Sequence, residues 1–390
     1  MIAERPGSRR GRHRLLVSAA AVAVSALLIA TVIEIVVRAS WDPARGRPGF
    51  LVADAVRLEK LAPNYDGWFA GVPVHTNSLG FRDDREYELA KRPGTFRILL
   101  LGDSVTFGHG SVFEHTYPLL LEKRLKAWKP NVGWQVWNLG VPGYNTSQEL
   151  AYLLEVGASY RPDLVVVGFY ANDVVDNRIV SAPGRTAAAA ALVKTWFKRH
   201  LYSFEWYKRT ALTLRYRLRT SEAERALLEN LAAQDRLLVK PSQVAALAQQ
   251  QLTAPAPMSS TAIAAERCSA EPVPMLPKIL QTPGLDGWKD AVRRLQQMNH
   301  DGAYRIVFFI NGSPAPCDVE DVFDTRATKP VDDYFLNVLS DGTPAVSSHD
   351  AFAKYRPSQM PESSGHSIGN SNALKADVLF EFLRDRILKP

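Results

Sequence analysis

Two short runs of purely apolar residues, Ile98–Leu101 and Leu164–Val167, each followed at once by glycine, constrain this chain more than any other feature. A strand that is apolar on both faces is buried on both, the pattern of a parallel sheet covered by helices on either side. Each run also leads into polar residues: Gly102-Asp103-Ser104 after the first, and Phe169-Tyr-Ala-Asn172-Asp173 after the second. In open α/β sheets, ligands gather in the crevice beyond the carboxyl ends of the strands, so Ser104 and Asn172 stand where chemistry is usually done. Taken singly, each has a plain structural reading too. Asp103 or Ser104 can cap a following helix, and an Asn-Asp pair can close a turn through its side chain.

The rest of the chain alternates as such a sheet requires. Tyr117, Leu120, Leu121, Leu125 and Trp128 fall at helical spacing, which predicts a helix within 114–128. Trp134–Trp137 reads as a strand, followed by the loop Asn138-Leu-Gly-Val-Pro-Gly-Tyr-Asn-Thr146, where Gly143 lets a backbone N–H approach a ligand. Further helices are expected over 288–298, 332–339 and 374–388, and strands over 305–310 and 344–346. Asn77-Ser-Leu-Gly-Phe-Arg82 reads as a turn in which Gly80 takes a positive φ and Phe81 packs beneath the sheet, while Arg82 is either structural or a binder of an anionic group. His109 and His115, six residues apart with no matching carboxylate, read as polar surface.

Near the C-terminus comes Met360-Pro-Glu-Ser-Ser-Gly-His366-Ser-Ile-Gly-Asn370. The serine, glycine, asparagine and histidine blocks in this order resemble the SGNH/GDSL hydrolase family in its membrane-anchored bacterial form, over about residues 75–185 and 285–390. The resemblance implies a flavodoxin-like three-layer α/β sandwich with a parallel sheet. It implies Ser104 as nucleophile, His366 as general base, and an oxyanion hole built from Ser104, Gly143 and Asn172, with no cofactor and no metal. The family usually keeps an aspartate three residues before the histidine, and here that position is Ser363. Glu362 or Asp350 is then the candidate orienter of His366, or a backbone carbonyl serves; His349 is a rival base. Loss of an oriented carboxylate from a serine triad costs about 10⁴ in turnover, which weakens an enzyme without abolishing it. The activity implied is an acyl-ester hydrolase, an esterase or deacetylase, acting on an acyl-ester substrate such as an O-acetylated polysaccharide. The alternatives are an O-acyltransferase on a cell-envelope glycan, or a catalytically idle SGNH-like protein that binds glycan or assembles a complex. A nucleotide-binding protein would need a glycine-rich phosphate loop, and none is present.

Ahead of all this, residues 1–14 are basic, and Leu15–Val37 is an apolar run long enough to cross a bilayer as a helix. No clear small-x-small cleavage site follows it, which favours an uncleaved signal anchor over a signal peptide. By the positive-inside rule the arginines stay in the cytoplasm and the rest is exported. The expected protein is thus single-pass in the inner membrane with a periplasmic domain. The expected organisation is a cytoplasmic segment 1–14, a span 15–37, a connector 38–75, a hydrolase domain in two parts (76–185 and 283–390), and a mostly helical, proline-rich insertion (186–282). Within the insertion, 222–251 has helical spacing, and the aromatic and basic stretch 194–209 could line a groove, lie on a membrane or simply pack. Formal net charge is +7, but Arg5, Arg9, Arg10, Arg12 and Arg14 less Glu4 contribute +4 of it, so no nucleic-acid surface is expected. Cys268 and Cys317 either form one bridge, pinning the insertion to the core, or remain two thiols.

Overall fold

The computed structural model describes residues 7–41, 48–175, 255–258, 268–269, 271–317, 319–363 and 365–389, with scattered positions between 193 and 214. Much of the 186–282 insertion, including the helix expected over 222–251, lies outside the described residues, as does Ser364.

Helix α1 (Gly7–Ala39) contains His13–Ala39, a 27-residue stretch of mean hydropathy 2.6 that is long and apolar enough to cross a membrane and is not buried against the rest of the chain. Two hairpins follow: β1 (Leu51–Asp54) with β2 (Leu58–Leu61), and β3 (Asp66–Phe69) with β4 (Val72–His75). This corrects the expected connector. Strands of four residues are too short to show periodicity, yet Phe50, Leu61, Tyr65, Val72 and Val74 are buried in the same core as the central sheet.

That sheet is built from β5 (Thr95–Gly102), β6 (Gly133–Gly140), β7 (Leu164–Phe169), β8 (Ile306–Ile310) and β11 (Ala345–Ser347), all parallel, in the order β11-β8-β7-β5-β6. A small hairpin, β9 (Ala315–Cys317) with β10 (Val322–Asp324), lies between the last two. Numbered within the sheet alone, the order is the flavodoxin-like 2-1-3-4-5, whose switch point falls between β5 and β7. This is the flavodoxin-like three-layer sandwich with a parallel sheet expected from the sequence.

Alternation along β5 sends Leu99 and Leu101 into one apolar core and Ile98 and Leu100 into another. The first is covered by α4 (Thr146–Tyr160) and two later helices, α7 (Leu285–His300) and α8 (Lys329–Leu339). The second is covered by α3 (Tyr117–Trp128) and α10 (Asn370–Phe382). Each fully buried Leu, Val or Ile of these strands stabilises the sandwich by roughly 1.5–3 kcal/mol. Shorter helices complete the set: α2 (Ser104–Phe107), α5 (Asn172–Val175), α6 (Leu276–Leu280) and α9 (His349–Phe352). Cys268 and Cys317 are joined, with Cα atoms 5.8 Å apart, which ties the insertion to β9.

Candidate active site

Three adjacent strands, β6, β5 and β7, each carry a glycine at the same level at or one residue before their carboxyl ends. Gly102 pairs in register with Gly140 on one side and Gly168 on the other. The reason is close approach. A Cβ on Gly102 would lie 2.0 Å from Thr106 Oγ1, one on Gly140 would lie 2.3 Å from the Phe107 backbone N, and one on Gly168 would lie 2.5 Å from Thr106 Oγ1. Helix α2 thus rests on a floor of glycines, and its first residue is Ser104.

Asp103 caps α2, accepting from Val105 N at 2.8 Å, so the capping role expected of either residue falls to Asp103 and leaves the Ser104 hydroxyl to other partners. Arg82 fixes the far end of the turn. It is buried, and its guanidinium donates to the carbonyls of Phe107 (3.0 Å), Gly108 (2.6 Å) and Ser111 (2.5 Å), which bracket His109. Of the two readings open for Arg82, the structural one fits these contacts; burial pushes its pKa down to about 10.

His366 comes to Ser104 from a hairpin of two-residue strands, β12 (Glu362–Ser363) and β13 (His366–Ser367). Its Nε2 lies 2.8 Å from Ser104 Oγ, the reach needed for proton transfer between a hydroxyl and a base. The hairpin is anchored at its C-terminal side: Asn372 Nδ2 donates to Ser111 Oγ (2.8 Å), and Ser371 Oγ donates to Pro361 O (3.0 Å). The His366 ring also lies face to face with His109, ring centroids 4.1 Å apart and planes 18° from parallel. The reading of His109 as polar surface is therefore corrected. It is largely buried between His366 and Phe69, whose ring meets it edge-on at 5.2 Å. Burial first, then the positive potential of His366 and Arg82, pushes its pKa down to about 3, so it is neutral in the fold. Nothing in its sequence spacing reveals this, because Phe69 and His366 reach it from distant parts of the chain.

The expected orienters are placed elsewhere. Asp350 Oδ1 lies 2.9 Å from His349 Nδ1 and its Oδ2 accepts from Lys329 Nζ at 2.8 Å. Asp332, His349 and Asp350 converge as metal ligands could, but the Lys329 ammonium already sits among them, and His349 Nε2 meets Thr328 Oγ1 at 2.9 Å. His349 is committed to this ion-paired group. Glu362 pairs in register with Ser367, and Ser363 pairs with His366. Directly opposed residues of a hairpin share a face and neighbours alternate, so Glu362 projects from the face opposite to His366.

The oxyanion-hole candidates lie on either side of the switch point. Val141-Pro-Gly-Tyr144 closes through Tyr144 N to Val141 O (3.1 Å) with Gly143 at φ +84°, the type II turn that proline followed by glycine favours. The Gly143 N–H takes no part in that closing bond. Gly143 is needed for its positive φ and not for close approach, since a Cβ there would meet nothing within 4 Å. Asn172 opens α5 after β7, and its Nδ2 donates to Asp103 Oδ2 at 3.2 Å, leaving its second amide hydrogen for another acceptor. Below it lies a buried acidic group that the sequence did not announce. Asp173 accepts from Tyr170 N and Thr146 Oγ1, both at 3.3 Å, and among the described residues neither Glu149 oxygen has a hydrogen-bond partner. Desolvation, reinforced by repulsion from Asp103 and, for Asp173, from Glu149, raises the pKa of both carboxyls well above the usual range. Lys375, buried in α10 near Asp103 and Glu362, is pushed by desolvation down to about 8.

The sequence profile of the GDSL-like lipase/acylhydrolase family matches residues 100–261, the stretch that carries Ser104, Gly143 and Asn172. Residues 100–261 thus resemble a GDSL-like lipase/acylhydrolase domain. The match stops short of His366, whose place is given by geometry alone. An acetylxylan esterase from Geobacillus stearothermophilus is similar in structure at 14% identity and a TM-score of 0.38, over 75% of this chain and 95% of that one. An alpha/beta hydrolase enzyme from the metagenome of Lake Arreo, Spain, is similar at 13% identity and a TM-score of 0.37, over 73% and 94%. No curated protein matches the sequence. The likeness to GDSL-like lipases and acylhydrolases over this stretch supports acyl-ester hydrolysis as the class of chemistry to test.

Proposed function

We propose that this protein is a membrane-anchored serine esterase that removes small acyl groups, acetyl above all, from polysaccharide outside the cytoplasm, with Ser104 as nucleophile and His366 as general base. The contact that carries this reading is His366 Nε2 to Ser104 Oγ at 2.8 Å, between residues 262 apart in sequence. His366 takes the Ser104 proton as Oγ attacks the ester carbonyl. The backbone N–H groups of Ser104 and Gly143 and the remaining amide hydrogen of Asn172 receive the developing oxyanion. His366 then returns the proton to the departing sugar oxygen, and water, deprotonated by the same imidazole, releases the acid from Ser104. His109 serves as a positioning residue, its neutral ring holding the plane of His366 by stacking. Export rests on the basic segment before the apolar span, and the polysaccharide substrate on the resemblance to membrane-anchored family members.

The test is acetate release from an acetylated polysaccharide, and p-nitrophenol release from p-nitrophenyl acetate, by the full chain in detergent beside Ser104→Ala and His366→Ala. Each variant is expected to lose at least about 10⁴-fold in turnover. Activity that survives in Ser104→Ala refutes the assignment of the nucleophile. Release from the small ester without release from the polysaccharide keeps the chemistry and rejects the substrate.

A further inference from the structure

Glu34 lies inside the apolar stretch His13–Ala39, where a carboxylate is costly unless it is partnered. Its partners come from the insertion. Glu34 Oε2 accepts from Ser203 N (2.9 Å) and Ser203 Oγ (2.6 Å), and Oε1 accepts from Tyr202 N (3.1 Å). Arg38, one turn on, pairs with Glu34 at 3.0 Å, donates to His200 O at 3.1 Å, and lies 4.7 Å over the Tyr202 ring. Trp41 meets the same ring edge-on at 5.1 Å. Ser203 is buried in this junction.

The described residues around the junction are helical on both sides of a break at Leu201 and Tyr202, so Glu34 caps the second helical stretch at its N-terminus. These stretches hold large apolar side chains outward. Trp196 is 54% exposed, Phe197 42%, Trp206 45% and Tyr207 40%, and Val193 and Leu214 are exposed as well. Between them the sequence carries Lys194, Lys198, Arg199, Lys208 and Arg209. Exposed tryptophan and tyrosine interleaved in sequence with basic residues are what the headgroup region of a bilayer favours.

Depth agrees. With the centre of the 27-residue stretch at the bilayer midplane, Glu34 lies about 12 Å from it along the axis, near the edge of a hydrocarbon core of about 15 Å half-thickness. The segment docked on Glu34 is thereby held at the outer interface.

We infer that the described helical residues on either side of the Glu34 junction form an interfacial element in the headgroup region of the outer leaflet, with Trp196, Phe197, Trp206 and Tyr207 inserted among lipids and Glu34 clamping it to the span. The inference rests on the reading of 13–39 as a membrane span. It gives the insertion a role: fixing how the hydrolase domain stands on the membrane, and so which way its site faces.

The experiment uses the full chain reconstituted in phosphatidylcholine/phosphatidylglycerol vesicles, comparing the parent with the W196F/W206F double variant. Lipids brominated high on the acyl chain are expected to quench part of the parent tryptophan emission, and most of that quenching is expected to disappear in the double variant. Equal quenching in parent and double variant overturns the inference. So does protection of the two indoles from both bromolipid and aqueous acrylamide, which would mean that protein covers them. Alkaline carbonate extraction separates the two readings. A chain that washes off the vesicles has no span, whereas one that stays while Trp196 and Trp206 remain unquenched has a span and no interfacial element.

Discussion

Ser104 leaves β5 above strand-end glycines on which α2 packs too closely for any Cβ, whereas His366 stands on strands of two residues each. The serine side is built from a glycine floor, the Asp103 cap and the Arg82 clamp, all buried. The histidine side is built from side-chain contacts: the 2.8 Å bond to Ser104, the stack on His109, and the anchors of Ser371 and Asn372. Backbone packing admits very few residues at each position and so writes a motif into the sequence. Side-chain contacts between distant segments can be met in many ways and write none.

The sharpest way to break the serine side is Gly140→Ala. The added Cβ would meet the Phe107 backbone N at 2.3 Å, and a backbone atom locked into α2 cannot step aside. Overpacking of this kind costs about 3 kcal/mol or more. Thermal unfolding is expected to drop by roughly 6–12 °C, with esterase activity lost in parallel. The control is Gly342→Ala, where φ is +62° but nothing lies within 4 Å, so only the local strain of about 1 kcal/mol applies. Equal losses in the two variants would show that the glycine floor does not hold the serine.

The histidine side is tested by His109. His109→Ala removes the face against which His366 lies, and kcat/KM is expected to fall by roughly 10- to 100-fold, while His109→Phe keeps a ring there and recovers most of it. Two equal losses would reduce the stack to ordinary packing. The same residue sets an acid limit. With a folded pKa of about 3, well below the ordinary value for histidine, it binds fewer protons folded than unfolded. The stability it contributes is therefore present above about pH 6.5 and is lost as pH falls through the window below it. His109→Phe is expected to flatten that decline in urea titrations between pH 7 and 4.

This difference explains what could be read in the sequence. The parallel sheet, and the position of Ser104 and Asn172 just beyond the carboxyl ends of its strands, followed from apolar runs that lead into glycine and polar residues, because burial on both faces and close approach at the strand ends leave little choice of residue. The hairpins over 51–75 did not show, being too short for a period and recognisable only by what they bury. His109 did not show because its partners, Phe69 and His366, come from far along the chain. Glu149 carried no signal in the sequence, and only its burial near Asp173 reveals that it is sealed.

Glu149 offers a gentler probe of the serine side. Its raised pKa means that the folded state keeps a proton that the unfolded state releases above about pH 4.3, so stability falls as pH rises through that range. Glu149→Gln keeps the shape and removes the titration. The variant is expected to be more stable than the parent at pH 8, by at least about 1 kcal/mol, with the two curves converging towards pH 4. A constant gap across the range would assign the effect to packing.

The smallest effects are expected at the two carboxylates that the sequence offers as orienters of His366. Asp350 is bound to His349 and Lys329, and Glu362 projects from the face of its hairpin opposite to His366, receiving a 3.5 Å contact from Ser313 Oγ. If His366 is held by its stack and its hairpin, neutralising either acid leaves its ring where it is. Asp350→Asn and Glu362→Gln are each expected to change kcat/KM by less than about threefold, under 1 kcal/mol. The pH dependence of kcat/KM discriminates more finely than the rate, because a carboxylate bonded to the imidazole favours its protonated form. Losing such a partner would lower the pH at which activity rises. A profile unchanged in both variants fits a base positioned by His109. A shift to lower pH in Glu362→Gln alone, with a rate loss well beyond threefold, would mean that the hairpin turns over in the working enzyme and brings Glu362 to His366.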